Sequence, residues 1–163
     1  MFYYDNINLW NANTKNYNQL EGAIIMTVNN NKAELGILKE IIEMECGDKV
    51  RVQFAEKPGW LLLKTAERQK GIGAIRMNKN SFITLYIDTK QDVMLEESLK
   101  TLPSYENKVA SIQSKISGNF VQNKIKLYNE NLIDFVIEVL NKVFDEDMVY
   151  TGKRIRQLES VAV

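Results

Sequence analysis

Between Leu35 and Thr65 the apolar residues of this chain change period, and that change constrains the fold more than any other feature. Leu35, Leu38, Ile41 and Ile42 recur at helical spacing, with Lys39, Glu40 and Glu43 on the other side, so residues 35–44 predict an amphipathic helix. Gly47-Asp48 stops it. Val50, Val52 and Phe54 then alternate with Lys49, Arg51 and Gln53, the two-residue period of a half-exposed strand. Lys57-Pro58-Gly59 turns the chain, and Trp60 to Thr65 returns as the second strand of a hairpin. A helix followed at once by such a hairpin points to the α+β class.

The flanking segments extend this reading. Phe2, Tyr4, Ile7 and Leu9 have the spacing of an edge strand, Asn11 to Asn18 reads as loop, and Gly22 to Val28 is a β-branched run ended by Asn29-Asn30-Asn31. Further strands are expected over Ala74 to Asn78 and Ser81 to Ile87, joined by an Asn78-Lys79-Asn80 turn. The N-terminal half therefore reads as one helix among four to six strands. In the C-terminal half, Val93, Leu95, Leu99 and Leu102 predict a helix over Asp92 to Leu102, closed by Pro103.

Residues 104–128 admit two readings. Val109, Ile112 and Ile116 fit a helix capped by Gly118, and the same stretch fits a hairpin turning at Gly118-Asn119. A return strand over Val121 to Leu127 is favoured, its partner left open. Asn131 to Phe144 is the clearest helix, with Leu132, Phe135, Val136, Val139, Leu140 and Val143 in one wide stripe. The expected architecture is a mostly antiparallel sheet with one helix in the N-terminal half, and further helices and a strand in the C-terminal half. It is read as one compact domain over 1–163, or two packed halves, 1–88 and 89–163.

Composition narrows the chemistry. The chain has no histidine, so the side chain most used for proton transfer near neutral pH and for zinc is missing. Cys46 is the single cysteine among 163 residues, which excludes an intramolecular disulfide and a cysteine metal cluster. Without an imidazole to activate it, Cys46 reads as a small inert thiol. No catalytic residue, cofactor or metal is expected. A weaker nuclease pattern, Asp92 with Glu106-Asn107-Lys108, has the form of an acid followed by Glu-x-Lys.

A lone thiol suits a reducing cytosol. Met1 to Trp10 lacks the basic and apolar regions of a signal peptide, and the longest apolar run, Trp60 to Leu63, is far short of the ~20 residues of a membrane span. A cytoplasmic location without membrane attachment is the expectation. Abundant Asn, Ile and Lys point to an AT-rich genome, as of a bacterium or its phages and mobile elements.

Charge is balanced overall, 21 acids against 21 bases, so no general positive field exists to coat nucleic acid. Locally it is not. Lys64, Arg68, Lys70, Arg76 and Lys79 stand against Glu67 alone, and Gly71 and Gly73 lie among them, where backbone amides can approach a phosphate. Gly71-Ile72-Gly73 lacks the third glycine and following helix of a dinucleotide fingerprint. Lys153, Arg154 and Arg156 form a second basic cluster. Glu130, Asp134, Glu138, Asp145, Glu146 and Asp147 form an acidic face, relieved only by Lys142. Trp10 and Trp60 read as core or edge packing.

From Ala23 to Ala66 the chain resembles the swapped-hairpin domain of the SpoVT/AbrB-like transition-state regulators. The matching residues are Ile24-Ile25-Met26-Thr27-Val28, Lys39-Glu40-Ile41, Gly47-Asp48-Lys49-Val50-Arg51-Val52 and Leu61-Leu62-Leu63-Lys64. The resemblance implies a DNA-binding dimer that exchanges hairpins. The DNA-contacting motif is degraded: Asn31-Lys32 stands where the family has Gly-Arg, Leu38 replaces its proline and Ile42 its arginine, leaving Lys32 and Lys39.

Two functions follow as expectations. The first is a regulatory protein that binds nucleic acid or a nucleic-acid-associated complex, with a homodimer compatible. The second is a stoichiometric anti-defence inhibitor, of the anti-CRISPR type, that occupies a basic channel of a host nuclease complex with its carboxylates.

Overall fold

The structure, a computed structural model, describes residues 28–78, 82–103, 105–128 and 132–154. The chain divides into two compact units, Met1–Leu38 and Lys39–Val163, with the boundary inside the first helix. That helix, α1 (Val28–Cys46), is followed by strands β1 (Val50–Phe54), β2 (Trp60–Thr65), β3 (Gly71–Met77) and β4 (Phe82–Thr89). Two short helices, α2 (Leu95–Leu99) and α3 (Tyr105–Lys108), precede β5 (Val109–Ser117) and β6 (Phe120–Tyr128), and α4 (Leu132–Asp145) follows. Val28 opens α1, and the rest of the strand expected over Gly22 to Val28 lies outside the described residues, as do residues 1–21.

The protein is α+β. The second unit holds a six-stranded sheet of order β1-β2-β3-β4-β6-β5, in which every neighbouring pair is antiparallel. The first four strands are laid down as successive hairpins. After β4 the chain runs through α2 and α3 to the far edge, forms β5, and returns as β6 against β4. After the short helix α3, residues 109–128 thus adopt the hairpin, turning at Gly118, whose φ of 65° is the left-handed conformation that glycine enters without a Cβ clash. Asp88 lies inside β4.

The helix expected over Asp92 to Leu102 is only α2. The Val93 amide donates to the Lys90 carbonyl and the Lys90 amide to the Met148 carbonyl, so residues 90–93 are used in a turn before the helix begins.

Alternation sorts the strand residues into two faces. One face carries Val50, Val52, Leu61, Leu63, Ile75, Ile83, Leu85, Ile87, Ile125 and Leu127, all buried. The stripe of α4 adds Leu132, Phe135, Val136, Val139, Leu140 and Val143, also buried. Each such side chain contributes roughly 1.5–3 kcal/mol by leaving water. Asn123 and Thr89 are the buried polar residues described on this face, and Asn123 organises the pair. Its Nδ2 donates to the Ile87 carbonyl at 3.0 Å and to Thr89 Oγ1 at 2.9 Å, and its Oδ1 accepts from Ser114 Oγ at 2.6 Å. With both ends of the amide partnered, its burial is tolerated.

Two local devices shape the sheet. The free edge of β1 is plugged by Glu43 of α1, whose Oε2 accepts from the Val52 amide at 2.9 Å. Burial opposes ionisation of that carboxyl, but the Val52 amide, Lys39 and Arg51 outweigh it and hold the group below the usual carboxylate range. In β3 the pairing passes from Leu63↔Gly73 to Lys64↔Gly71, leaving Ile72 as an extra residue in a bulge. Past the bulge the faces exchange, and Gly71 emerges on the same side as Lys64.

Candidate functional site

The second face of the sheet has a different composition. Its positions, read from the cross-strand register, include Arg51 of β1, Trp60 and Lys64 of β2, Arg76 of β3, Tyr86 and Asp88 of β4, Gln122, Lys124 and Lys126 of β6, and Gln113 and Lys115 of β5. Apart from Thr84 and Phe120, the described side chains here are exposed or half-buried. Asp88 is the only acid at these strand positions. Arg51 and Lys64 lie directly opposite one another. Like charges so placed are mutually destabilising unless an anion or dipole intervenes, and Arg51 Nη1 takes the Gly47 carbonyl.

Aromatic rings are set among these cations. Trp60 stacks on Tyr86 with ring centroids 5.4 Å apart. The Arg76 guanidinium lies 5.5 Å from the Trp60 ring and the Lys57 ammonium 5.8 Å from it, both within cation–π range. Trp60 is therefore half-buried on the polar face, away from the apolar core.

At one end of this face is an open groove of about 540 Å3 lined by Gly71, Gly73, Tyr86, Asp88, Gln113, Lys115, Gln122, Asn123, Lys124 and Arg154. Arg154 is its roof. Its Nη1 meets Asp88 Oδ2 at 2.5 Å, its Nη2 donates to the Gly71 carbonyl at 2.5 Å, and its guanidinium lies 4.5 Å from the Phe120 ring. The segment that carries it is tied down. The Tyr150 amide donates to the Asp88 carbonyl at 3.0 Å, its ring stacks on Phe120, and Asn119 Nδ2 donates to the Lys153 carbonyl at 2.8 Å. Burial pushes the Asp88 carboxyl above its ordinary range and Arg154 opposes that rise.

The two basic segments of the sequence touch here at one point. Gly71, from the segment between Lys64 and Lys79, touches Arg154, a residue 83 positions away in the chain. Lys64 and Arg76 stand on the open face, whereas Arg68 and Lys70 are exposed in the turn that joins β2 to β3. Lys153 is exposed beside Arg154. Lys79, Arg156 and Glu130 lie outside the described residues.

Of the acidic residues, Asp134 is exposed and Glu138 half-buried on α4. Asp145, Glu146 and Asp147 are exposed at its end, but Asp147 pairs with Lys90 at 2.8 Å and Glu146 with Lys142 at 2.7 Å. Asp92 sits in a turn, and Glu106 and Lys108 lie on α3, not on a strand. Among the described residues no group of three or more acidic or cysteine side chains is placed to hold a metal ion.

Arg51, Lys115, Lys124 and Lys126 are the members of this face that the charge-run reading passes over. Their signal is present as the alternation Gln122, Lys124, Lys126 along the return strand, but it acquires meaning only once the neighbours of β6 are known. Among the described residues no helix is long and apolar enough to cross a membrane. No family model, no curated protein and no solved structure matches the chain.

Proposed function

We propose that this protein is a non-enzymatic nucleic-acid-binding protein that works through the open face of its sheet. The observation that carries the reading is the gathering, on one solvent-facing surface, of Arg and Lys from β1, β2, β3, β5 and β6 around the Trp60–Tyr86 stack. Asp88, the one acid at the described strand positions of this face, is paired with Arg154. A phosphate backbone is attracted by clustered cations, and unpaired bases stack on exposed rings for roughly 1–3 kcal/mol each. A protein with balanced total charge can hold such a surface because many of its acids lie on other elements, among them Glu96 and Glu97 of α2 and Asp134 and Asp145 of α4.

A reducing, cytoplasmic setting belongs to the same reading. Burial pushes the Cys46 thiol up, its Sγ donates to Asn141 Oδ1, and no second cysteine is present.

Fluorescence anisotropy with labelled oligonucleotides at graded salt tests the reading. Binding should weaken as salt rises, and the double reversal Arg76→Glu with Lys124→Glu should lower affinity at least ~100-fold. It should also flatten the slope of log affinity against log salt, by roughly 0.7 for every single-strand phosphate no longer neutralised. Unchanged affinity in the double variant would remove the open face as the site. A stable complex with a host nuclease and none with free nucleic acid would favour the inhibitor reading instead.

A further inference from the structure

We infer that the Gly71 groove holds one unpaired nucleotide, so that the face selects single strands over duplex. The inference rests on the nucleic-acid reading above and adds a subsite to it.

Gly71 itself is the first reason. Glycine weakens a strand relative to alanine and is found where geometry or a close approach demands it. Gly73 has such a demand, because a Cβ there would sit 1.9 Å from the Tyr86 carbonyl oxygen. Gly71 has none: a Cβ built on it meets nothing within 4 Å, and its φ is not in the left-handed region. What the missing side chain does is leave the groove open, since past the β3 bulge position 71 faces the polar side beside Lys64.

The groove also has the chemistry of a nucleotide site. At about 540 Å3 it lies inside the range of small-ligand pockets, about 300–1,000 Å3. Two register rows form its floor, Tyr86–Lys124–Gln113 and Asp88–Gln122–Lys115. Each row ends in an amide or a lysine and spans three strands, about 10 Å. Lys124 and Lys115 are diagonal neighbours on β6 and β5, about 7–8 Å apart between Cα atoms, so both ammonium groups reach one phosphate. Neither makes an ion pair among the described residues.

Tyr86, stacked on Trp60, brings an aromatic ring to the groove's lining, and the amides of Gln113 and Gln122 offer the donors and acceptors that read a base edge. A base that is splayed out can enter an open groove of this size, whereas a paired base is held inside its duplex and enters only if flipped.

The test compares a short single-stranded DNA, the same sequence as RNA, and the matched DNA duplex, each against the wild-type protein and Gly71→Phe. The wild type should bind one or both single strands at least 10-fold more tightly than the duplex. Gly71→Phe fills open space, so its far-UV circular dichroism and unfolding midpoint should match the wild type while single-strand affinity falls ~30-fold. Lys115→Gln, an exposed change on an edge strand, provides a second variant independent of folding and should cost several-fold on single strands.

Equal affinity of wild type for single strand and duplex, or unaltered single-strand affinity in both variants, would overturn the groove. If at the same time Arg76→Glu with Lys124→Glu still abolishes binding, the open-face reading stands and only the subsite falls. Absence of any binding by the wild type removes both.

Discussion

The two faces of the sheet are built from the same strands with the same alternation, and they are opposite in kind. One presents Leu61, Ile75, Leu85 and Ile125 to the core. The other presents Trp60, Arg76, Tyr86 and Lys124 outward. A strand residue on the first face acts through apolar area removed from water, and a residue on the second changes the fold little when altered. If the open face binds nucleic acid as proposed, stability and recognition are separable by which face of the sheet a residue takes. Asn123 and Asp88 are the instructive exceptions: a polar group placed on the core face and an acid placed on the basic one, each held by specific partners.

The sharpest way to break the comparison is to change one residue of each face. Leu85→Ala leaves a cavity and should destabilise the protein by about 2–5 kcal/mol in denaturant titrations, with binding preserved under conditions where the variant is folded. Lys124→Ala should shift stability by no more than about 0.5 kcal/mol while weakening oligonucleotide binding. Comparable stability losses in both variants would erase the distinction between faces.

A smaller effect is expected at the Asp88–Arg154 pair. The Asp88 carboxyl already titrates above its ordinary value because of burial, so it favours the folded state when protonated, and that contribution is lost as pH rises through the folded pKa. Arg154 limits the loss by stabilising the carboxylate. Arg154→Ala should therefore raise the Asp88 pKa further and lower the unfolding midpoint more at pH 7 than near pH 4, the range where an ordinary aspartate protonates. A midpoint shift that does not vary with pH would show that Arg154 acts through its packing on Phe120 alone.

Much of the fold is legible in the sequence. The β1–β2 hairpin and α4 emerge within a residue or two of their predicted bounds, because strict alternation and a wide stripe are unambiguous. β5 is ambiguous for a physical reason. An irregularity between Val109 and Ser111 pairs Val109 with Leu127 and Ile112 with Ile125, so two residues three apart face the same way and imitate a helical period. The bulge in β3 does the same for Ile72 and Ile75, both buried.

The candidate site is legible only as fragments. Lys64, Arg76 and Arg154 stand out as charge runs, but the order β4-β6-β5 brings Lys124 and Lys115 beside them, and strand order is a property of long-range pairing. Trp60 reads as packing because an aromatic in a strand carries no mark of which face it will take.

The most direct measurement is a backbone amide chemical-shift titration of isotopically labelled protein with a short single-stranded oligonucleotide. Saturable shifts should concentrate at Arg76, Tyr86, Gln113 and Lys124 and at Gly71 in the groove, with the core positions Leu61 and Ile125 little changed. Shifts centred on Asp134, Glu138 and the Asp145–Asp147 turn, or none at saturating oligonucleotide, would contradict the open-face reading.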